Sequence, residues 1–357
     1  MTQTPMLGRT SSYAKFIASE GIGLAEGTYV PDLKTVEVQP WARRGNVKGL
    51  YLNHDGTDIS NDCYVMEIPP GGECAPQRQL FEEMIYVLEG RGATTVWTDG
   101  GKKHHFEWGP GSLFGIPLNA WHQHFNGTGD QPARYLGVTS APVSINTWAD
   151  PEFVFNCNYK FENRFTGEDD YFSGKGTLTG MVWETNFVPN VPAFELMDYK
   201  RRGAGGRNIK FTLCRNQMGA HVSEFPVGTY KKGHRHGPGA HVVVIGGTGY
   251  SLMWKDEDNI GKYDWHVGSL IIPPDRTFHQ HFNTGATPAR YLALRFSGNQ
   301  EFYNYGKEEF PLSQTSVKLG GDQYEYEDQN TYVHRTFIEE CAKNGVEVKM
   351  SEFPVTV

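Results

Sequence analysis

Four histidines in two short strings carry the most chemistry in this chain. His234 and His236 stand two residues apart in GTYKKGHRHGPGAH, and His279 and His281 two apart in TFHQHFN. On extended backbone, residues i and i+2 project to the same face, so each pair aims both imidazoles one way. Neutral imidazole nitrogens are good ligands for first-row divalent cations, and two such pairs that converge predict a metal site. One strand histidine is usually a hydrogen-bonded core or surface residue.

Two strings some forty residues apart can converge only if the intervening chain turns back on itself. The runs HVVVIGG, YSLMWKD, SLIIPP and ARYLALR supply the means. Each is short, β-branched or aromatic, and bounded by Gly, Pro or Asn, as strands are. The first half carries matching runs, MIYVLEG, ATTVWTD, SLFGIP and ARYLGVT. The correspondence is a duplication: GSLFGIPLNAWHQHFN recurs as GSLIIPPDRTFHQHFN, with Gly111, His122 and Trp97 each 157 residues before Gly268, His279 and Trp254. Further upstream, TYVPD at 28–32 recurs as NFVPN at 186–190. One helix is expected, after Asn330-Thr331, where Val333, Phe337, Ile338 and Cys341 form an apolar stripe that Asn344-Gly345 ends.

The second-half motifs, Gly228, His234, His236 and Gly247, then Gly268, Pro274, His279 and Asn283, resemble those of the cupins, and the duplication makes the resemblance one to a bicupin. It implies an all-β fold of two tandem cupin barrels, double-stranded β-helices of jelly-roll type, with a short C-terminal helix added. The expected division is a first barrel over 1–145, a connecting segment over 146–185, a second barrel over 186–300 and a helix-bearing tail over 301–357. Most cupins add a glutamate ligand, but Ala240 lies opposite Glu83 in the repeat, leaving His234, His236 and His279. This set resembles the bicupin ring-cleaving dioxygenases acting on gentisate and salicylate, although those enzymes usually hold their metal in the first barrel. His241 is the competing fourth ligand; strand alternation sends it outward if Ala240 faces in, unless the GPG turn introduces a bulge. In the first barrel Gln77 and Gln79 replace the two leading histidines, with Glu83, His122 and His124 retained. Amide oxygens are poorer ligands than imidazole, so that barrel is expected to be metal-free and structural or substrate-shaping.

Three neutral ligands leave a dication uncompensated and about three octahedral positions open, which favours an anionic, chelating substrate; that it is a small aromatic molecule and the metal iron is what the resemblance implies. Fe(II) is the expected metal, with Mn(II), Ni(II) or Zn(II) as alternatives. His281 is the expected polar helper in acid–base work, and Arg290, Arg295 and Trp254 the expected substrate contacts. The leading reading is an Fe(II) dioxygenase cleaving the ring of a hydroxylated aromatic acid. Beside it stand a non-redox metal-dependent isomerase, lyase or hydrolase, and a non-catalytic accessory or ligand-binding cupin.

Composition bounds these readings. With 33 Lys+Arg against 41 Asp+Glu the formal charge is −8, so no bulk attraction draws a polyanion, and nucleic acid is not expected as a partner. Forty-two glycines and 13% aromatic residues in 357 suit many short strands and turns. No apolar run approaches the ~18 residues of a membrane span, and the start lacks a secretory apolar core, giving a cytoplasmic expectation without membrane contact. Cys63, Cys74, Cys157, Cys214 and Cys341 form no CxxC pair, against a disulfide framework. His104 and His105 are expected in a solvated hairpin, and exposed barrel faces suggest a homo-oligomer.

Overall fold

The computed structural model describes residues 10–53, 60–237, 239–296 and 312–355. Each half forms a two-sheet barrel, and the chain is all-β with two tandem barrels. In the first, Asp62–Ile68, Ala133–Thr139, Glu83–Glu89 and Leu113–Ile116 lie side by side in the larger sheet, and Trp121–Asn126, Gly92–Trp97 and His104–Trp108 form the smaller. The second repeats this with Met218–Phe225, Ala289–Phe296, His241–Gly246 and Leu270–Ile271 facing Gly261–Trp265, Gly249–Trp254 and Phe278–Asn283. Alternation sorts the side chains. Along His241–Gly246, Val242 and Val244 fill the second barrel, whereas Val243 and Ile245 join Val65, Leu136 and Leu292 in the apolar layer between the two large sheets.

The sheets do not respect the divisions expected at 145 and 186. Tyr29–Val30, from the N-terminal segment, pairs with Leu270–Ile271 of the second barrel. In exchange, Phe187–Val188 pairs with Leu113–Ile116 of the first. The repeated TYVPD and NFVPN strings are therefore traded strands, each covering an edge of the other barrel that would otherwise be open. Ser269 Oγ donates to Pro31 O at 2.6 Å, and Ser112 Oγ to Pro189 O at 2.8 Å. The turn glycines Gly111 and Gly268 sit at φ 86° and 103° beside these locks, a conformation that L side chains rarely adopt.

Helices are more numerous than expected. Ser12–Glu20 buries Tyr13, Phe16 and Ile17 against the first barrel, capped by Ser11 Oγ accepting from Ala14 N at 3.0 Å. The segment after the first barrel, expected to lack helix, contains Ala141–Trp148 and Pro151–Asn156. Both are too short to show a period; their signals are Pro142 and Pro151 in the first turns and Asp150 as N-cap, its carboxylate accepting from Phe153 N at 3.2 Å. Phe165 and Phe172 then return to the first barrel's core. His104, expected in solvent, is instead buried on a strand, 5.5 Å from the Phe165 ring, while His105 is exposed. The helix Thr331–Lys343 lies on the second barrel's small sheet, with Val333, Phe337 and Cys341 buried; Ile338 faces outward.

Candidate metal centre

His234 and His279 are joined by an antiparallel bridge in which His234 N donates to His279 O at 3.0 Å and His279 N to His234 O at 2.8 Å. The backbone thereby ties the two histidine strings together. His234 sits in isolated bridges to His279 and Gln323, and His236 outside any strand, so an extended loop, not a regular strand, aims them. Pro238 of the GPG turn lies outside the described residues. His234, His236 and His279 offer ligand atoms all within 4.8 Å of one another.

The tautomers suit ligation. His234 Nδ1 lies 3.2 Å from Lys232 O and His279 Nδ1 3.0 Å from Thr277 O. A ring nitrogen that donates to a carbonyl leaves the other as a lone-pair donor. His236 Nδ1 is buried without a hydrogen-bond partner, an arrangement that costs free energy unless something is bound. Burial, reinforced by nearby positive charge, holds the His234 and His236 rings well below the ordinary imidazole range and brings His279 down to about 4. All three are neutral at neutral pH, the protonation state a cation requires. The donor set fits a borderline divalent ion such as Fe(II).

Around the trio, His281 shares the inward face of Phe278–Asn283 with His279, its ring 5.7 Å away. Its Nδ1 is 2.7 Å from Ser251 Oγ, which also accepts from Trp265 Nε1 at 3.0 Å. The first barrel repeats this arrangement, with His124 Nδ1 2.8 Å from Thr94 Oγ1 and Trp108 Nε1 donating to that hydroxyl at 2.9 Å. Lys231 is buried nearby, its Nζ donating to Ser223 Oγ at 2.8 Å and Tyr291 OH at 3.2 Å, with burial lowering its pKa.

The expected substrate contacts separate. Arg290 and Arg295 are five apart on Ala289–Phe296, and an odd separation sends them to opposite faces. Arg290 faces away: its Nε donates to Glu224 Oε2 at 2.9 Å and its Nη1 to Pro192 O and Phe194 O at 2.5 and 3.1 Å. It pins the traded segment, as Arg134 does by donating to Leu33 O and Val36 O at 3.3 and 3.2 Å. Arg295 has its charge felt by His236 and His279. Trp254 points out of the barrel: Met253 pairs with His279, whereas Trp254 stacks on Phe278 beneath the C-terminal tail. His241 also faces out, toward the layer between the barrels, as alternation requires.

Arg202 was not among the expected site residues. The strings WARRG and YKRRG occupy equivalent places in the two halves, so Arg202 is the counterpart of Arg44, a signal available in the sequence. Its charge reaches His234, His236 and His279, and its Nη1 donates to Gln323 Oε1 at 2.9 Å. In the first barrel, Gln77 Nε2 donates to Gln79 Oε1 at 2.9 Å and Gln79 Nε2 to Glu83 Oε2 at 3.0 Å; that oxygen lies 3.7 Å from His122 Nε2. Burial raises the Glu83 pKa against the opposing pull of Arg44, Tyr64 and Gln79.

Residues 64–139 match the cupin domain family. A stretch of 92 residues is 30% identical to a 5-aminosalicylate 1,2-dioxygenase from a Comamonas species, taking in 26% of this chain. The chain thus spans 23% of that relative's length. Among solved structures, a variant of Bacillus subtilis oxalate decarboxylase covers 77% of this chain and 78% of its own at 13% identity, with a TM-score of 0.49. A second variant of that enzyme covers 81% and 85% at 11% identity, with a TM-score of 0.49. Among the described residues no helix is long and apolar enough to cross a membrane.

Proposed function

We propose that this chain, whose residues 64–139 match the cupin domain family and whose second half repeats the first, carries in its second barrel an Fe(II) dioxygenase site cleaving the ring of a hydroxylated aromatic acid. The observation that carries this reading is a neutral three-histidine set, His234 and His279 buried and His236 half-buried, with Ala240 at the glutamate position and two guanidinium charges, Arg202 and Arg295, within electrostatic reach.

His234, His236 and His279 would hold the ion. A ferrous ion, when bound, supplies Lewis acidity and the electrons that activate dioxygen. The protein's own contribution is to bind and orient. Arg202 and Arg295 favour a substrate carboxylate on their side of the centre, since guanidinium–carboxylate pairs are strong and directional. His281, held neutral by burial and by its cationic neighbours, can accept a hydrogen bond from a substrate hydroxyl while Ser251 fixes its ring. Enclosure keeps water away from that contact and strengthens it. The match to the Comamonas dioxygenase supports the same substrate class.

The test is oxygen uptake by the anaerobically iron-loaded protein given gentisate or 5-aminosalicylate. Uptake stoichiometric with loss of the aromatic chromophore supports the reading. Turnover that persists without oxygen, or the absence of turnover with either acid in the iron-loaded protein, overturns it.

A further inference from the structure

We propose a second metal site, between the barrels, formed by Asp62, Cys63 and His241 and suited to a zinc-like dication. One ligand atom from each residue lies within 4.8 Å of the others, and all three residues are at most 1% exposed. Asp62 and Cys63 open the strand Asp62–Ile68 of the first barrel, and His241 opens His241–Gly246 of the second. The site therefore joins the two large sheets through the apolar layer they share, which already contains Cys63.

The internal duplication supplies a control within the molecule. Cys63 and Met84 both flank Val138 in the first barrel, and Ala220 and His241 both flank Leu294 in the second. The contact between Cys63 and His241 thus has an equivalent in Ala220 and Met84, both buried in the same layer. Packing at that equivalent position is apolar, so the architecture does not itself require sulfur, imidazole and carboxylate to meet. Burying such a group has a cost unless its members bind one another or a cation.

The donor chemistry selects the class of ion. Thiolate, imidazole and carboxylate together suit Zn(II) and its tetrahedral analogues. A dication held by the carboxylate and by sulfur as thiolate leaves no net charge, which a fully enclosed site demands. Supporting groups are in place. Asn61 places its side-chain amide 2.9 Å from His241 Nδ1, with Ser60 Oγ 2.8 Å from the other end of that amide. Amide and hydroxyl can both reverse their hydrogen bonds, so Asn61 can accept from Nδ1 and orient the ring toward a metal. Asp62 accepts from Cys63 N at 2.7 Å and Tyr13 OH at 2.5 Å, which fixes the carboxylate beside the sulfur.

The experiment is a titration of the chelator-treated full-length chain with Co(II) under anaerobic conditions, read by near-ultraviolet absorption and by bound cobalt. The wild type is expected to bind one equivalent with a thiolate-to-cobalt charge-transfer band, in addition to the equivalent held by the histidine trio. His279→Ala should keep the band and lose the other equivalent. The double variant Cys63→Ala, His241→Met copies the apolar pair that the fold already accommodates at 220 and 84, and should lose the band and one equivalent. A wild type lacking a thiolate band at saturating cobalt, or a band that survives the double variant, overturns the proposal.

Discussion

Replacing Arg202 by Met removes its charge at the site together with its hydrogen bonds to Gln323 and Ser313, so substrates with and without a carboxylate are needed to separate recognition from scaffolding. Arg202 acts electrostatically on all three site histidines and also donates to Gln323 Oε1. A hydrogen bond to a charged group contributes about 1.5–3 kcal/mol, and 1.4 kcal/mol is a factor of ten. Loss of a direct contact to the substrate carboxylate should therefore lower kcat/KM by roughly 10- to 150-fold. Lys, which keeps the charge but not the fork, should recover part of this. The assay is steady-state oxygen uptake with a hydroxylated benzoic acid and with the same ring lacking the carboxylate. The account expects the acid to suffer the full loss and the neutral ring little. Equal losses on both would mean that Arg202 acts by holding Gln323 and the loop around it, and the carboxylate assignment would be wrong.

Three further outcomes follow from the geometry. Ala240→Glu should tighten metal binding, measured by chelator competition, and reduce turnover at least tenfold. In the first barrel the equivalent Glu83 carboxylate stands 3.7 Å from His122, so the new carboxylate would fill a position that substrate or oxygen needs; unchanged turnover with tighter metal would contradict this. Phe337→Ala, at a fully buried ring 4.9 Å from Tyr230, should cost about 3–5 kcal/mol in urea unfolding, and a loss under 1 kcal/mol would show that the C-terminal helix is not docked as described. The Lys231 pKa is lowered by burial from 10.5, so between the folded and unfolded values the unfolded chain binds the extra proton and stability rises with pH. In metal-free protein, Lys231→Met should therefore be most favourable relative to wild type below the folded pKa, with its advantage shrinking as pH approaches 10.5. A stability difference between the two that does not change with pH argues against a buried charged lysine.

Both barrels were legible because they rest on strand period and internal repetition, which survive in a single sequence; the convergence of His234, His236 and His279 was legible through the cupin resemblance, since an extended loop carries the first two. The outward turn of His241 followed from the same alternation. Arg290 has the structural role that the repeated PARYL string, with Arg134 at the matching place, leaves open beside substrate contact. Glu224 lies directly across from it on the neighbouring strand, and the carbonyls of 192 and 194 belong to the segment that follows the traded strand. Trp254 failed because the tail that covers it arrives from far along the chain. Arg202 could have been found by extending the repeat to the paired RRG strings. The short helices after the first barrel had caps but no measurable period.

The proposed function requires that three imidazoles from two strings meet on one ion. X-ray absorption at the iron edge, on anaerobic protein given one equivalent of Fe(II), tests it most directly. The account predicts three imidazole ligands, no protein carboxylate and no sulfur, and a spectrum that changes in His279→Ala. A first shell with fewer than three imidazoles, or one indifferent to that substitution, would contradict it.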